Sequence, residues 1–208
     1  MMLEKQTTEF LAELSSSSPV PGGGGASAAV GAFAAALGMM VANLTIGKKK
    51  YKEYEEEILE ARCKLAHLRD QLICLTDEDA KAFEPLSRAY GLPKETEEEK
   101  AEKDRIMEQA LYTASLVPLQ IMETIAQAVD ILDILEKKGS RLAVSDVGVG
   151  ILFAQAALEG ASLNIFINTN LMKDRNQADK LNARAEELIE SGRRRKEDIY
   201  RAVLKKIR

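Results

Sequence analysis

The residues best placed for chemistry are carboxylates, lysines and amides at the ends or on the faces of apolar segments. Asp79 continues a stripe of Ile58, Ala61, Leu65, Leu68, Leu72 and Leu75, spaced three and four apart, so it falls on the apolar side of its helix. Loss of water there raises a carboxyl's proton affinity toward the range useful for acid/base catalysis, although the same placement suits a buried acid held by a partner. Asp77 and Glu78 face other directions. Asp146 follows Ser145, which has N-cap character, and the positive end of a helix favours its ionised form. It reads either as an electrostatic stabiliser or as a helix-start residue. Lys48, Lys49 and Lys50 follow Gly47 at the end of an apolar segment, where cations complement a helix C-terminus without any ligand. Asn164 and Asn168 lie four apart on one face of an apolar helix, positioned to cross-link helices or to read the edge of a polar ring.

A glycine run, Gly22, Gly23, Gly24 and Gly25, precedes Ala26 and Ser27. It is either a flexible lead into a helix or a lip of backbone N–H groups facing an anion or polar ring. It lacks the GxxxxGK[ST] spacing of a P-loop and has no strand before it, which argues against both standard nucleotide loops. With one histidine, His67, and two cysteines eleven residues apart in one helix, no Cys/His metal site or disulfide is expected. The balance of 29 basic and 33 acidic residues argues against a broad nucleic-acid surface.

The elements that must position these groups are all helical. A short amphipathic start carries Phe10, Leu11 and Leu14, and residues 15 to 25 read as loop, with a helix beginning near Ala26 or Ser27. The next twenty residues are uncharged and long enough to cross a membrane, but Ala and Gly dominate them. The pairs Gly31/Ala35 and Ala34/Gly38 suit close helix packing, so a buried helix without membrane contact is expected. Such a helix has almost no polar face, which points to an intertwined homodimer. A long helix follows from Tyr51. Thr96 and Glu99 form a capping box for another that ends at Lys137, Lys138 and Gly139. Pro118 lies inside it and frees the carbonyl near Ala114 for a buried polar partner or ligand. A second small-residue helix begins at Ser145, and residues 177 to 208 form a charged amphipathic helix. The expected fold is all-α: one multihelical domain over residues 1–208, with amphipathic helices around small-residue helices. The first residues lack a basic segment followed by an apolar core, and a cytoplasmic location is expected.

Seven motifs in one order resemble the formiminotetrahydrofolate cyclodeaminase and methenyltetrahydrofolate cyclohydrolase family: PGGGGASAA at 21–29, LTIGKKKY at 44–51, TDEDAKAF at 76–83, GLPKETEEEK at 91–100, VPL at 117–119, SDVGVG at 145–150 and GASLNIFIN at 160–168. The resemblance covers nearly the whole chain and implies the standalone form of the domain that ends the bifunctional animal enzyme. It implies a helical dimer with sites near subunit contacts, a tetrahydrofolate derivative as substrate, with or without a polyglutamate tail, and no tightly bound cofactor or metal. The leading expectation is cyclodeamination of 5-formiminotetrahydrofolate to 5,10-methenyltetrahydrofolate and ammonia. Cyclohydrolysis of methenyltetrahydrofolate to 10-formyltetrahydrofolate is the alternative within the family, and a non-catalytic helical scaffold the alternative outside it. Asp79, Asp146 and Lys48 are the expected catalytic residues. Gly22, Gly23, Gly24, Ser27, Thr45, Lys49, Ser145, Asn164 and Asn168 are the expected substrate contacts. Where the family usually has PGGGS, this chain has Gly25 at the serine position.

Overall fold

Two glycines set how closely the helices approach. A Cβ on Gly31 would lie 2.8 Å from Ile125 Cγ1, and one on Gly38 would lie 2.8 Å from Leu65 Cδ1. Only hydrogen at these positions, two turns apart on one helix, lets its neighbours seat their large side chains directly on its backbone. The computed structural model describes residues 1–4 and 6–208. Among them the α-helices are α1 (Thr7–Leu14), α2 (Gly23–Asn43), α3 (Glu55–Tyr90), α4 (Glu97–Lys138), α5 (Val144–Leu171) and α6 (Arg175–Ile207), and no strand is present.

The small-residue helix α2 is central. It packs against α3 and α5 and more lightly against α4, while α6 covers α4 and α5 on the far side. Contacts between Gly24 and Asp79, Gly31 and Leu72, and Gly38 and Leu65 run in opposite senses along the two chains, so α2 and α3 are antiparallel. The pairs Gly23/Asn164, Gly160/Ser27 and Gly150/Ala34 show the same for α2 and α5. The α3 stripe is buried as its spacing requires, with Ile58, Leu65 and Leu72 fully enclosed. The capping box at Thr96 and Glu99 is present, and Gly139 ends α4. Amphipathic α6 buries Leu181, Leu188, Ile199 and Val203.

Three helical starts differ from the sequence expectation. The glycine run is not loop throughout, because α2 begins at Gly23. Residues 49–54 form a 3-10 turn before α3 begins at Glu55. Ser145 is not an N-cap: Ala143 ends a short 3-10 turn and occupies that position. The chain is held there by tertiary bonds, since the Ser140 N–H donates to Thr45 Oγ1 at 2.8 Å. Stretches of α2, α4 and α5 are long and apolar enough to cross a membrane, but more than half of each is buried inside this fold.

One side of α2 and α5 is left open. Phe33 and Met40 on α2, with Leu152, Phe153, Leu163 and Ile167 on α5, form an exposed apolar face.

Candidate active site

The early start of α2 meets a side chain from α3. The Asp79 carboxylate stands against the first turn of α2, so near that a Cβ on Gly24 would lie 2.5 Å from its Cγ. Burial pushes the Asp79 pKa above the ordinary aspartate value, and a hydrogen bond from the Gly25 N–H opposes part of that rise. A carboxyl at a helix N-terminus satisfies a donor that has no intrahelical acceptor, here the Gly25 N–H.

Asp79 opens into a cavity of about 250 Å³ that is also lined by Gly22, Gly23, Gly24, Phe83, Ala114, Pro118, Asn164 and Asn168, with Val20 and Ile167 at its apolar margin. Asn164 donates from Nδ2 to the Gly160 carbonyl at 3.2 Å, which fixes the amide beside Gly23. Asn168 is only 8% exposed, and its amide has no hydrogen-bond partner among the described residues. Its amide atoms are not sealed from water, so they stand available to a polar group that enters the cavity. The site therefore combines a carboxyl of raised proton affinity, helix N–H donors, a free amide and an aromatic wall from Phe83. Val20 and Ile167 were not singled out in the sequence, where nothing but their nearness to the glycines and Asn168 marks them.

Two glycine-lip residues turn away from the cavity. Ser27 donates to the Gly23 carbonyl at 2.7 Å and packs at Gly160, bracing the first turn of α2. Gly25 faces α3, where a Cβ would meet Thr76 Cγ2 at 3.5 Å, an ordinary contact. A side chain at this position would start toward Thr76 and Pro21, and Gly25 is not among the residues that line the cavity.

The remaining expected residues gather at the other end of the molecule. α2 has 21 residues, a length of about 30 Å at 1.5 Å per residue, and Thr45, Lys48 and Lys49 follow its C-terminus. Thr45 is buried and donates to the Val41 carbonyl at 2.7 Å while accepting from Ser140. Ser145 and Asp146 lie at the start of α5 on the same end. Lys48, Lys49 and Lys50 are exposed, and no carboxylate pairs with them among the described residues. Nearby, the Tyr51 hydroxyl accepts the Arg141 N–H at 3.0 Å, which pulls its pKa below the usual tyrosine value. Within one subunit, then, Asp79, the three glycines and both asparagines come together, and Thr45, Lys48, Lys49, Ser145 and Asp146 do not join them.

A helical bundle with a desolvated carboxyl opening into a cavity is a candidate small-molecule site, and comparison with known proteins gives the family. The sequence profile of the Formiminotransferase-cyclodeaminase family matches residues 6–187. A methenyltetrahydrofolate cyclohydrolase of Methylorubrum extorquens is 41% identical over 207 residues, covering 99% of this chain and 100% of that protein. A formimidoyltransferase-cyclodeaminase of Rattus norvegicus is 30% identical over 92% of this chain, which spans only 36% of that longer protein. The crystal structure of formiminotetrahydrofolate cyclodeaminase from Thermotoga maritima superposes with a TM-score of 0.82 at 27% identity, covering 99% of this chain and 97% of that one. The chain belongs to the formiminotransferase-cyclodeaminase family.

Proposed function

We propose that this protein is a folate enzyme acting on the one-carbon unit held between N5 and N10 of tetrahydrofolate, with 5,10-methenyltetrahydrofolate cyclohydrolysis as its reaction. The observation that carries the chemistry is Asp79, desolvated beside α2 and opening into a cavity with the unpartnered Asn168. The choice of cyclohydrolysis is supported by the relative that matches over its whole length at 41% identity. In this reading water adds to the methenyl carbon and Asp79 accepts one of its protons. That proton passes to N5 as the carbon–N5 bond breaks, and the second is released as the formyl group forms on N10.

Cyclodeamination, the reading placed first on sequence grounds, stands second. It is favoured by the Thermotoga structure and the bifunctional relatives. There N10 bonds to the carbon of the protonated formimino group, N5–CH=NH2+, the bond between that carbon and its terminal nitrogen breaks, and the nitrogen leaves as ammonia with the N10 proton as its third hydrogen. The same carboxyl serves both reactions because each passes through a tetrahedral carbon between the same two nitrogens. Neither requires a bound metal or redox cofactor.

The working unit in this proposal is a homodimer. A cavity of about 250 Å³ is smaller than the 300–1,000 Å³ usual for small-molecule sites, so the rest of a folate must extend beyond it. The exposed face of Phe33, Met40, Leu152, Phe153 and Leu163 connects this cavity to the Lys48 end. A two-fold axis through the middle of that face lays it antiparallel on itself. Lys48 and Lys49 of the partner subunit then approach the Asp79 cavity, where they meet the carboxylates of the substrate tail.

The test is absorbance of the methenyl chromophore. It should disappear when 5,10-methenyltetrahydrofolate is supplied; appearance from 5-formiminotetrahydrofolate alone would select the second reading, and inactivity of folded protein on both would refute the enzyme. Sedimentation should show a dimer that Phe33→Glu dissociates with loss of turnover. A fully active monomer, or vesicle binding in place of dimerisation, would refute the assembly.

A further inference from the structure

Pro118 interrupts the hydrogen-bond ladder of α4 at the wall of the cavity. In an unbroken helix the Ala114 carbonyl would accept the N–H of residue 118, and proline has none. Both residues are buried, Ala114 at 6% exposure, and both line the cavity that holds Asp79 and Asn168. A second proline inside a helix gives the contrast. Pro85 in α3 frees the carbonyl of Lys81, and both of those residues are exposed, so water satisfies that group. Because Ala114 and Pro118 both line the cavity, the gap in the ladder between them lies in its wall, where a polar group held in the cavity can supply the missing donor.

We infer that the Ala114 carbonyl, released by Pro118, is a substrate-facing acceptor that holds the hydrogen-bearing heteroatom entering or leaving the one-carbon centre. The inference rests on the folate reading above. In cyclohydrolysis that heteroatom is the attacking water oxygen, and in cyclodeamination it is the departing formimino nitrogen. Each bears a hydrogen that needs an acceptor while Asp79 takes a proton from the water in the first reaction or carries the N10 proton to the nitrogen in the second. A peptide carbonyl suits the acceptor role because it accepts without taking the proton and its dipole stabilises positive charge developing on the heteroatom. Pro118 is therefore a positioning residue that acts through the carbonyl four residues before it.

The experiment is Pro118→Ala in the full chain. An alanine N–H re-forms the helix bond and withdraws the acceptor, so the melting temperature should hold or rise while kcat falls at least tenfold and KM stays within threefold. A merely structural proline would not uncouple stability from turnover in this way. Unchanged kcat overturns the inference, as does a rise in KM alone, which would make the carbonyl a ring anchor. If the variant does not fold, an ester replacing the Ala114–Ser115 amide, made with the α-hydroxy analogue of residue 115, weakens the same carbonyl with Pro118 in place. Full kcat in that protein overturns the inference. A wild type inactive on both folates removes the folate reading and this inference with it.

Discussion

Gly24→Ala tests the geometry of the site with a single carbon atom. The added Cβ would stand 2.5 Å from Asp79 Cγ, whereas ordinary contacts begin at 3.4 Å, so the carboxylate must withdraw by about 0.9 Å. Misplacing a catalytic group by about 1 Å costs on the order of 100-fold in rate, equivalent to about 2.7 kcal/mol. Stability should move far less, because alanine favours the helix by up to about 1 kcal/mol and offsets part of the strain of displacing one side chain. The neighbouring substitution is the control. Gly25→Ala places its Cβ 3.5 Å from Thr76 Cγ2, where nothing must shift. Steady-state turnover of both variants, with circular dichroism to confirm helix content, should therefore show Gly24→Ala reduced about 100-fold and Gly25→Ala within threefold of wild type. Equal losses at the two positions, or a folded Gly24→Ala of normal kcat/KM, would refute the placement of Asp79 as the reacting group.

Asp79→Asn should lower kcat by about 100-fold or more, the scale of losing a general acid or base. Because burial raises the Asp79 pKa in the folded protein, its neutral form is favoured: stability from this group is complete below the ordinary aspartate value and is lost as pH rises through the raised one. Thermal melts should accordingly show Asp79→Asn more stable than wild type at neutral pH, with the two converging in acid; a constant difference across pH would contradict the burial. Thr45→Val removes the acceptor for the buried Ser140 N–H and should destabilise the protein by about 1–3 kcal/mol in urea titration, with the activity per folded molecule retained if Thr45 is only a clamp.

Much of this molecule is written in its local sequence. The three-and-four spacing from Ile58 to Leu75 determines both that α3 is a helix and that Asp79 lies on its buried side. Thr96 with Glu99 and Gly139 bound α4, and the Ala/Gly content of α2 and α5 announces helices that others approach closely. These are properties of helical periodicity and capping, which act within a few residues. The start of α2 was not legible in the same way, because the acceptor that meets the Gly25 N–H is a carboxyl 54 positions downstream.

Tertiary structure alone decided which candidates share a site. Periodicity tells which face of a helix a residue occupies but not which part of a neighbouring helix lies opposite. The antiparallel setting of α2 against α3 and α5 carried Gly24, Asp79 and Asn164 to one end. It left Lys48, Lys49 and Asp146 about 30 Å away at the other, the length of a 21-residue helix. Nor could sequence show that Gly24 meets Asp79 of α3 while Gly25 meets Thr76. Adjacent residues on a helix point about 100° apart, and only the packing of α3 on α2 determines which of them meets the carboxylate.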